Sequence, residues 1–340
     1  MLTKLESAPH GERVSVAMCT YKGATFLPEQ LASILAQTRV PDQLVVCDDR
    51  SPDDTIAVLE AFAKQAPFEV KIFSNPETLL PAQNFAKCIA LCDGDIILLS
   101  DQDDIWLPNR VEDTCAAFAA NEAATFTFSD APLIDPQGNA LGRSIYSSLP
   151  LPREDRRLLE EGTSIMLEVM RWRNLYGCTM AFRSKYRSVI LPVPELWTHD
   201  EWIATALSAV GPSARLVRPA ILYRQHQSQV VGSSDWQITS QVSRASRRDR
   251  SAYEWELLRC ERGIEAAEAR PELRERLLPV LRDKADFLRE RVQVQHGGLR
   301  ALPLYARMLR TGKYRRFGTG SRTFVKDLLM LAGYFAGSDG

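Results

Sequence analysis

The sequence predicts an α/β protein, a mainly parallel sheet flanked by helices, with an α-helical C-terminal extension. Three observations carry this. Short apolar runs alternate with segments of helical periodicity through about the first 130 residues, as βαβ units do. Polar and acidic residues gather where those runs end. Beyond Gly232 the composition turns to the Arg, Glu, Ala and Leu of long helices. A chain of 340 residues can bury a large core, and we place a domain boundary after residue 235, dividing it into 1–235 and a basic helical region, 236–340.

Val14-Ser15-Val16-Ala17-Met18-Cys19-Thr20 reads as a buried strand. After a turn at Lys22-Gly23, Pro28 suits a first helical position, where its missing N–H costs nothing, and Leu31, Ile34 and Leu35 form an apolar face. A second strand, Gln43 to Cys47, ends in Asp48-Asp49, and Ser51 to Asp54 can cap the helix carrying Ile56, Leu59 and Phe62. Glu69 to Phe73 is a third strand, Asn84 to Leu91 a helix and Asp95 to Leu99 a fourth strand. Pro108 starts a helix through Val111 and Phe118, and Ala124 to Phe128 is a fifth strand ending in Ser129-Asp130. Residues 137–175 are less regular, a loop and then a helix. Tyr176 to Phe182 and Val217 to Tyr223 read as strands, and residues 236–292 as long helices broken once at Pro271.

The net charge of −1 argues against wholesale nucleic-acid binding but conceals an asymmetry. From Arg291 to Lys326 there are nine Lys or Arg and no Asp or Glu. Removing that +9, and the −2 of Asp327 and Asp339, leaves residues 1–290 at −8. Seven cysteines fit no metal template, and Cys88 and Cys92, four apart on a helix, read as buried packing. Reduced thiols, an N-terminus without an apolar targeting stretch and the lack of a membrane span (the longest apolar run is Leu328 to Ala336) lead us to expect a cytoplasmic protein.

The chemistry concentrates after the fourth strand, where Asp101, Asp103 and Asp104 fall within four residues ahead of Trp106. Crowded carboxylates raise one another's pKa unless a cation sits among them. A hard divalent ion that itself holds a diphosphate is the usual resolution; a solvated acidic loop is the rival. An EF-hand fails, because Ile105 and Trp106 stand where a ligand and Gly are required. Ligands of parallel sheets lie beyond the carboxyl ends of the strands. Thr20-Tyr21, Asp48-Asp49, the Asp101–Asp104 cluster and Ser129-Asp130 all fall there, which favours a site.

The ordered set VSVAMCTYKGATFLPEQLASILAQT, VVCDDRSPDDT, NFAKCIALCDGDIILLSDQDDIW, His199-Asp200 and YRQHQSQVVG resembles the family 2 glycosyltransferases of GT-A fold, particularly bacterial rhamnosyltransferase-like members, over residues 12–232. The resemblance implies a nucleotide-diphospho-sugar transferase fold and an inverting transfer. The donor would be dTDP-L-rhamnose, or a UDP-hexose on the same fold, and the acceptor a lipid-linked or oligosaccharide chain such as O-antigen. It places the nucleotide on Thr20 and Tyr21, the pyrimidine N3–H on Asp49 and the sugar-nucleotide near Asn84. Asp101-Gln102-Asp103 matches the family's Asp-X-Asp element: Asp103 would ligate Mg²⁺ or Mn²⁺, and Asp101 would orient ribose or a metal-bound water.

Asp200 matches the general base that deprotonates the acceptor, while the role of His199 beside it is open. Arg224 and His226 would approach the diphosphate or the metal. One departure is Glu77-Thr78-Leu79-Leu80, where relatives often carry Gly. A non-catalytic nucleotide-sugar scaffold is the rival from another class; the intact set Asp49, Asp103 and Asp200 argues against it. The basic segment 291–326 interleaves Leu299, Leu302, Leu304, Tyr305, Met308, Leu309 and Phe317 with its charges. That pattern suits either a peripheral contact with anionic lipid or a solvated helical hairpin.

Overall fold

A computed structural model describes residues 11–149, 153–161, 175–227, 249–318, 323–325 and 327–328. The boundary expected at 235, the end of the loop expected to close at Gly232, the start of the helices expected from 236 and most of the apolar run from Leu328 lie outside the described residues.

The N-terminal strands are β1 (Val14–Thr20), β2 (Gln43–Asp48), β3 (Glu69–Ser74) and β4 (Ile96–Ser100), linked by helices α1 (Leu27–Leu35), α2 (Thr55–Ala63) and α3 (Leu80–Leu91). Then follow β5 (Ile105–Trp106), α4 (Arg110–Ala120), β6 (Phe126–Phe128), β7 (Pro132–Ile134), β8 (Ala140–Ser144), α5 (Ile145–Ser148), α6 (Arg153–Glu161), β9 (Ala181–Arg183), α7 (Arg187–Ile190), α8 (His199–Val210), β10 (Ser213–Arg215) and β11 (Ile221–Arg224). The C-terminal region contains α9 (Asp249–Glu268), α10 (Pro271–Arg274), α11 (Leu277–Gly297), α12 (Leu302–Arg310) and α13 (Lys313–Phe317).

Seven strands form the central sheet in the order β10-β6-β9-β4-β1-β2-β3, and β1 pairs in parallel with both β2 and β4. β1, β2 and β4 are covered on both faces, which is why their sequences are near-continuous apolar runs rather than alternating ones. Edge strand β3 is partly exposed throughout. Register aligns the strand ends: Thr20 lies opposite Asp48, Asp48 opposite Ser74, and Met18 opposite Ser100. Four polar strand-end segments are thereby delivered to one edge.

Three expectations are corrected. Tyr176 to Phe182 is not one strand: Gly177–Thr179 is a 3₁₀ turn, and only Ala181–Arg183 pairs, antiparallel, between β4 and β6. Val217 is 89% exposed, and the strand expected from it begins at Ile221. That strand belongs to a second sheet, β5-β11-β7-β8, absent from the expected fold. Its β7–β8 hairpin turns at Asp135-Pro136-Gln137-Gly138, with Gly138 at φ 86° and Asp135 Oδ1 accepting from the N–H groups of Gln137 and Asn139.

In the C-terminal region α9 and α11 run antiparallel, since Glu261 pairs with Arg289 and Glu268 with Arg282. The break expected at Pro271 is α10, between them. Their apolar faces close on Leu277, Leu281, Ala285 and Phe287. Each such side chain contributes about 1.5–3 kcal/mol when fully buried.

Candidate active site

Asp101, Gln102, Asp103 and Asp104 follow β4, and the structure gives each a different surrounding. Asp103 Oδ2 meets His226 Nε2 at 2.8 Å, joining two residues 123 apart in sequence. The His226 ring packs on Phe26, with centroids 4.7 Å apart. Asp101 is partly buried. Burial, then the charges of Asp103 and Asp200, push its carboxyl up to about 7, against the opposing pull of Arg110. Asp200's influence shows that the two carboxylates share one neighbourhood despite their separation in sequence.

Asp104 lies well ahead of the helix expected to start at Pro108. The helix begins at Arg110, and Asp104 is 0% exposed. One of its carboxylate oxygens accepts from Arg224 N–H at 3.1 Å and the other has no partner. Burial and the nearby Asp103 and Asp101 raise its pKa well above the usual carboxylate range. Ligand atoms of Asp101, Asp104 and Cys178 lie within 4.8 Å of one another. Beside them Arg110 is buried on the Trp106 ring at 3.8 Å, donates to the Leu99 carbonyl at 2.7 Å and keeps one nitrogen unpartnered. Burial lowers its pKa to about 10.

Sequence reasoning missed Arg110, Cys178 and Gln102. The Gln102 amide pairs with both sides of the Tyr21 backbone, accepting from its N–H at 2.9 Å and donating to its carbonyl at 2.9 Å. It passes over Gly23, where a Cβ would stand 2.2 Å from Gln102 Oε1. The signal was present, since Gln102 is the middle residue of the acidic element and Gly23 follows β1. A buried Arg or Cys leaves no such trace.

Thr20, Tyr21, Asp49 and Asn84 divide into exposed and internal groups. Tyr21 is half-exposed at the edge. The Thr20 hydroxyl is buried and donates to Asp48 at 2.8 Å, so Asp48 is a turn residue that also takes the Ser51 N–H. Asp49 accepts from Asn75 Nδ2 at 2.9 Å, Leu79 N–H at 2.7 Å and Leu80 N–H at 3.0 Å. Leu80, in the stretch where relatives often carry Gly, has φ 65° and is 66% exposed. Asn84 donates to the Cys47 carbonyl and accepts from Asn75. It is a buried brace between β2 and α3.

Arg224 is also internal. It is 1% exposed and pairs with Glu29, donates to the Asp103 carbonyl at 2.8 Å and to the Pro136 carbonyl at 2.9 Å. Its guanidinium pins the Asp103 loop to α1 and the hairpin turn. His199 and Asp200 lie in the first turn of α8 rather than ahead of it. Asp200 Oδ2 accepts from Gly177 N–H at 3.2 Å and Oδ1 from Glu201 N–H at 2.9 Å. The His199 ring stacks on Phe85 at 3.9 Å, and burial lowers its pKa although Asp200 opposes this.

Asp101, Asp103 and His226 offer the hard oxygen and nitrogen atoms that suit Mg²⁺ or Mn²⁺, although among the described residues the three donors that converge within 4.8 Å are Asp101, Asp104 and Cys178. The orphaned Asp104 oxygen beside them is what a group awaiting a cation leaves behind.

Residues 15–174 match the family described as Glycosyl transferase family 2. EpsE of Bacillus subtilis (strain 168), itself assigned only provisionally as a glycosyltransferase, is 28% identical over 192 residues, which are 55% of this chain and 66% of that relative. The dTDP-rhamnosyl transferase RfbG of Shigella flexneri is 25% identical over 231 residues, 64% of this chain and 74% of that one. Among solved structures, S. aureus TarS 1-349 in complex with UDP-GlcNAc superposes with a TM-score of 0.59 at 14% identity, covering 96% of this chain and 92% of that one. The central sheet, its flanking helices and the helical C-terminal region are those of a GT-A protein.

Proposed function

We propose that the chain is a family 2 glycosyltransferase of GT-A fold that moves one hexosyl unit, with inversion, from a nucleotide diphosphate sugar to a hydroxyl of a growing bacterial surface polysaccharide such as O-antigen. The observation that carries this reading is convergence. Tyr21, Asp101, Asp103 with His226, and Asp200 come from four separate segments and meet at one sheet edge, around carboxylates with too few cations.

Asp200 is the general base, taking the acceptor proton as the hydroxyl attacks the anomeric carbon and the C–O bond to the diphosphate breaks. Asp103 with His226, and Asp101 beside them, would hold a divalent metal, which would supply positive charge for the diphosphate. Arg224 fixes the Asp103 loop. Tyr21, Thr20 and Asp49 lie on the nucleoside side, with Asn84 bracing Asp49 through Asn75. The likeness to RfbG supports dTDP-L-rhamnose as donor.

Asp200→Asn should lower turnover about a thousandfold, within the range lost with a general base, while nucleotide binding persists; near-normal turnover sinks the base assignment. Thermal-shift screening of dTDP-rhamnose, UDP-glucose and UDP-GlcNAc with Mn²⁺ identifies the donor, because a ligand stabilises in proportion to the logarithm of its concentration over Kd. A UDP-hexose as the sole stabiliser replaces the rhamnose assignment, and no stabiliser rejects donor binding.

No helix among the described residues is long and apolar enough to cross a membrane. The proposed site of action is the cytoplasmic face of the membrane, with α12 resting on anionic lipid. Tyr305, Met308 and Phe317 point into the helical packing, whereas Leu302 and Leu309 face outward near Arg300 and Arg310. Replacing both leucines by Glu should abolish salt-sensitive sedimentation with phosphatidylglycerol vesicles; unchanged sedimentation rejects this contact.

A further inference from the structure

The helical C-terminal region touches the candidate base through one buried ion cluster. Thr198 is the N-cap residue of α8, and Glu201, its third residue, accepts at Oε2 from Arg259 at 3.1 Å and from the Thr198 hydroxyl at 3.3 Å. Arg259 comes from the middle of α9 and is 1% exposed. Its other nitrogens pair with Glu256 at 3.1 and 2.6 Å, and Lys284 of α11 joins Glu256 at 2.9 Å.

Trp197 lies under the guanidinium at 4.2 Å and donates its indole N–H to the Arg259 carbonyl at 2.8 Å. One turn further along α9, a Cβ on Gly263 would stand 2.9 Å from the Trp197 ring, so the close approach of helix and indole requires glycine. Burial opposes the charge on Arg259, but Glu201 and Glu256 more than restore it, raising its pKa.

Buried ion clusters are weak sources of stability, since well-packed apolar replacements often serve as well. What this cluster does supply is a fixed direction for the first turn of α8. The backbone N–H of Glu201 is itself the donor to Asp200 Oδ1, so a shift of the Glu201 backbone passes directly to the base. We infer that Arg259 is a positioning residue for the transfer reaction, holding Glu201 and through it the Asp200 carboxylate. The inference rests on the reading of Asp200 as base, and it makes α9 and α11 part of the catalytic unit.

The test uses full-length protein carrying Glu201→Gln, Arg259→Met, both together, or Asp200→Asn. Release of nucleoside diphosphate from dTDP-rhamnose or UDP-glucose, whichever binds, is read per nucleotide-binding site, counted by titration with dTDP or UDP. Both single variants should lower kcat per site at least tenfold with donor KM changed less than threefold. The double variant should lose no more than the worse single one, as two residues acting as one unit do. A merely structural role would reduce the number of sites and leave kcat per site intact. That result, with Asp200→Asn inactive, overturns the inference. Normal turnover by Asp200→Asn instead overturns the base reading and the inference with it. Should Arg259→Met fail to fold, Glu201→Gln decides, because it leaves Arg259 paired with Glu256.

Discussion

At the sheet edge Asp104 keeps one buried carboxylate oxygen without a partner, and Arg110 beside it keeps one buried nitrogen in the same condition. In the helical region the ion cluster of Arg291 and Asp327 is closed. Arg291 donates to both Asp327 oxygens at 2.7 and 2.8 Å and to the Tyr253 hydroxyl at 2.7 Å, and the Tyr314 hydroxyl completes Asp327 at 2.7 Å. Both places bury charge, but Asp327 has both oxygens bonded by its partners, whereas at the edge Arg110 opposes the Asp101 charge while one of its own nitrogens stays unbonded. Buried polar groups left unpaired are costly; others occur elsewhere, Glu290 Oε2 of the helical region among them, but those of the edge stand beside Asp101 and Asp103. The fully paired cluster of Arg291 is architecture.

The largest effect should come from breaking the closed cluster. Asp327→Ala leaves Arg291 buried and uncompensated, and urea denaturation should show a loss of about 3–5 kcal/mol, with turnover per folded molecule unchanged. A loss below about 1 kcal/mol would place this pair with surface ion pairs and erase the contrast.

At the sheet edge a charge removal should have the opposite sign. The Asp101 carboxyl is raised to about 7 in the folded protein, above its unfolded value of about 3.9. The folded state therefore holds the extra proton between those limits, and its contribution to stability falls as pH rises through that window. With metal chelated, Asp101→Asn should be more stable than wild type by about 1–2 kcal/mol at pH 8, a fraction of the full shift because coupled buried groups relax, and no more stable at pH 4. Destabilisation at pH 8 would mean that the edge is already balanced.

A smaller gain should follow at the loop that Asp49 clamps. Leu80 holds φ 65°, a left-handed conformation costing a side-chain-bearing residue about 1–2 kcal/mol, partly offset by the entropy cost of glycine. Leu80→Gly should therefore add about 0.5 kcal/mol in the same assay, and a loss would show that the Leu80 side chain stabilises the loop.

How much was legible follows from which forces leave a trace in one sequence. β1, β2 and β4 were readable because burial on both faces demands an uninterrupted apolar run, and their polar ends marked the candidate edge. The second sheet was not readable, since β5, β7 and β11 are two to four residues long and too short to show a period. Its Asp135-Pro136-Gln137-Gly138 turn was a usable signal for β7–β8 that the irregular flanking residues concealed. Asp103 could be singled out, but its pairing with His226 depends on the path of a strand 120 residues further on. Arg110 and Arg259 look in sequence like solvated helix residues. Arg259 is buried against Trp197 and Glu201, which only the tertiary fold brings to it, and Arg110 against Trp106 and the Leu99 carbonyl, a loop geometry without a period.

The pairing of Gln102 with both sides of the Tyr21 backbone across Gly23 has a consequence for protein engineering. It staples the loop after β1 to the loop after β4, so neither can be exchanged alone. A chimaera taking its donor preference from another transferase would have to import residues 20–23 and 101–104 as one cassette. A graft of either loop by itself would leave an amide without its backbone partner or set a side chain against it.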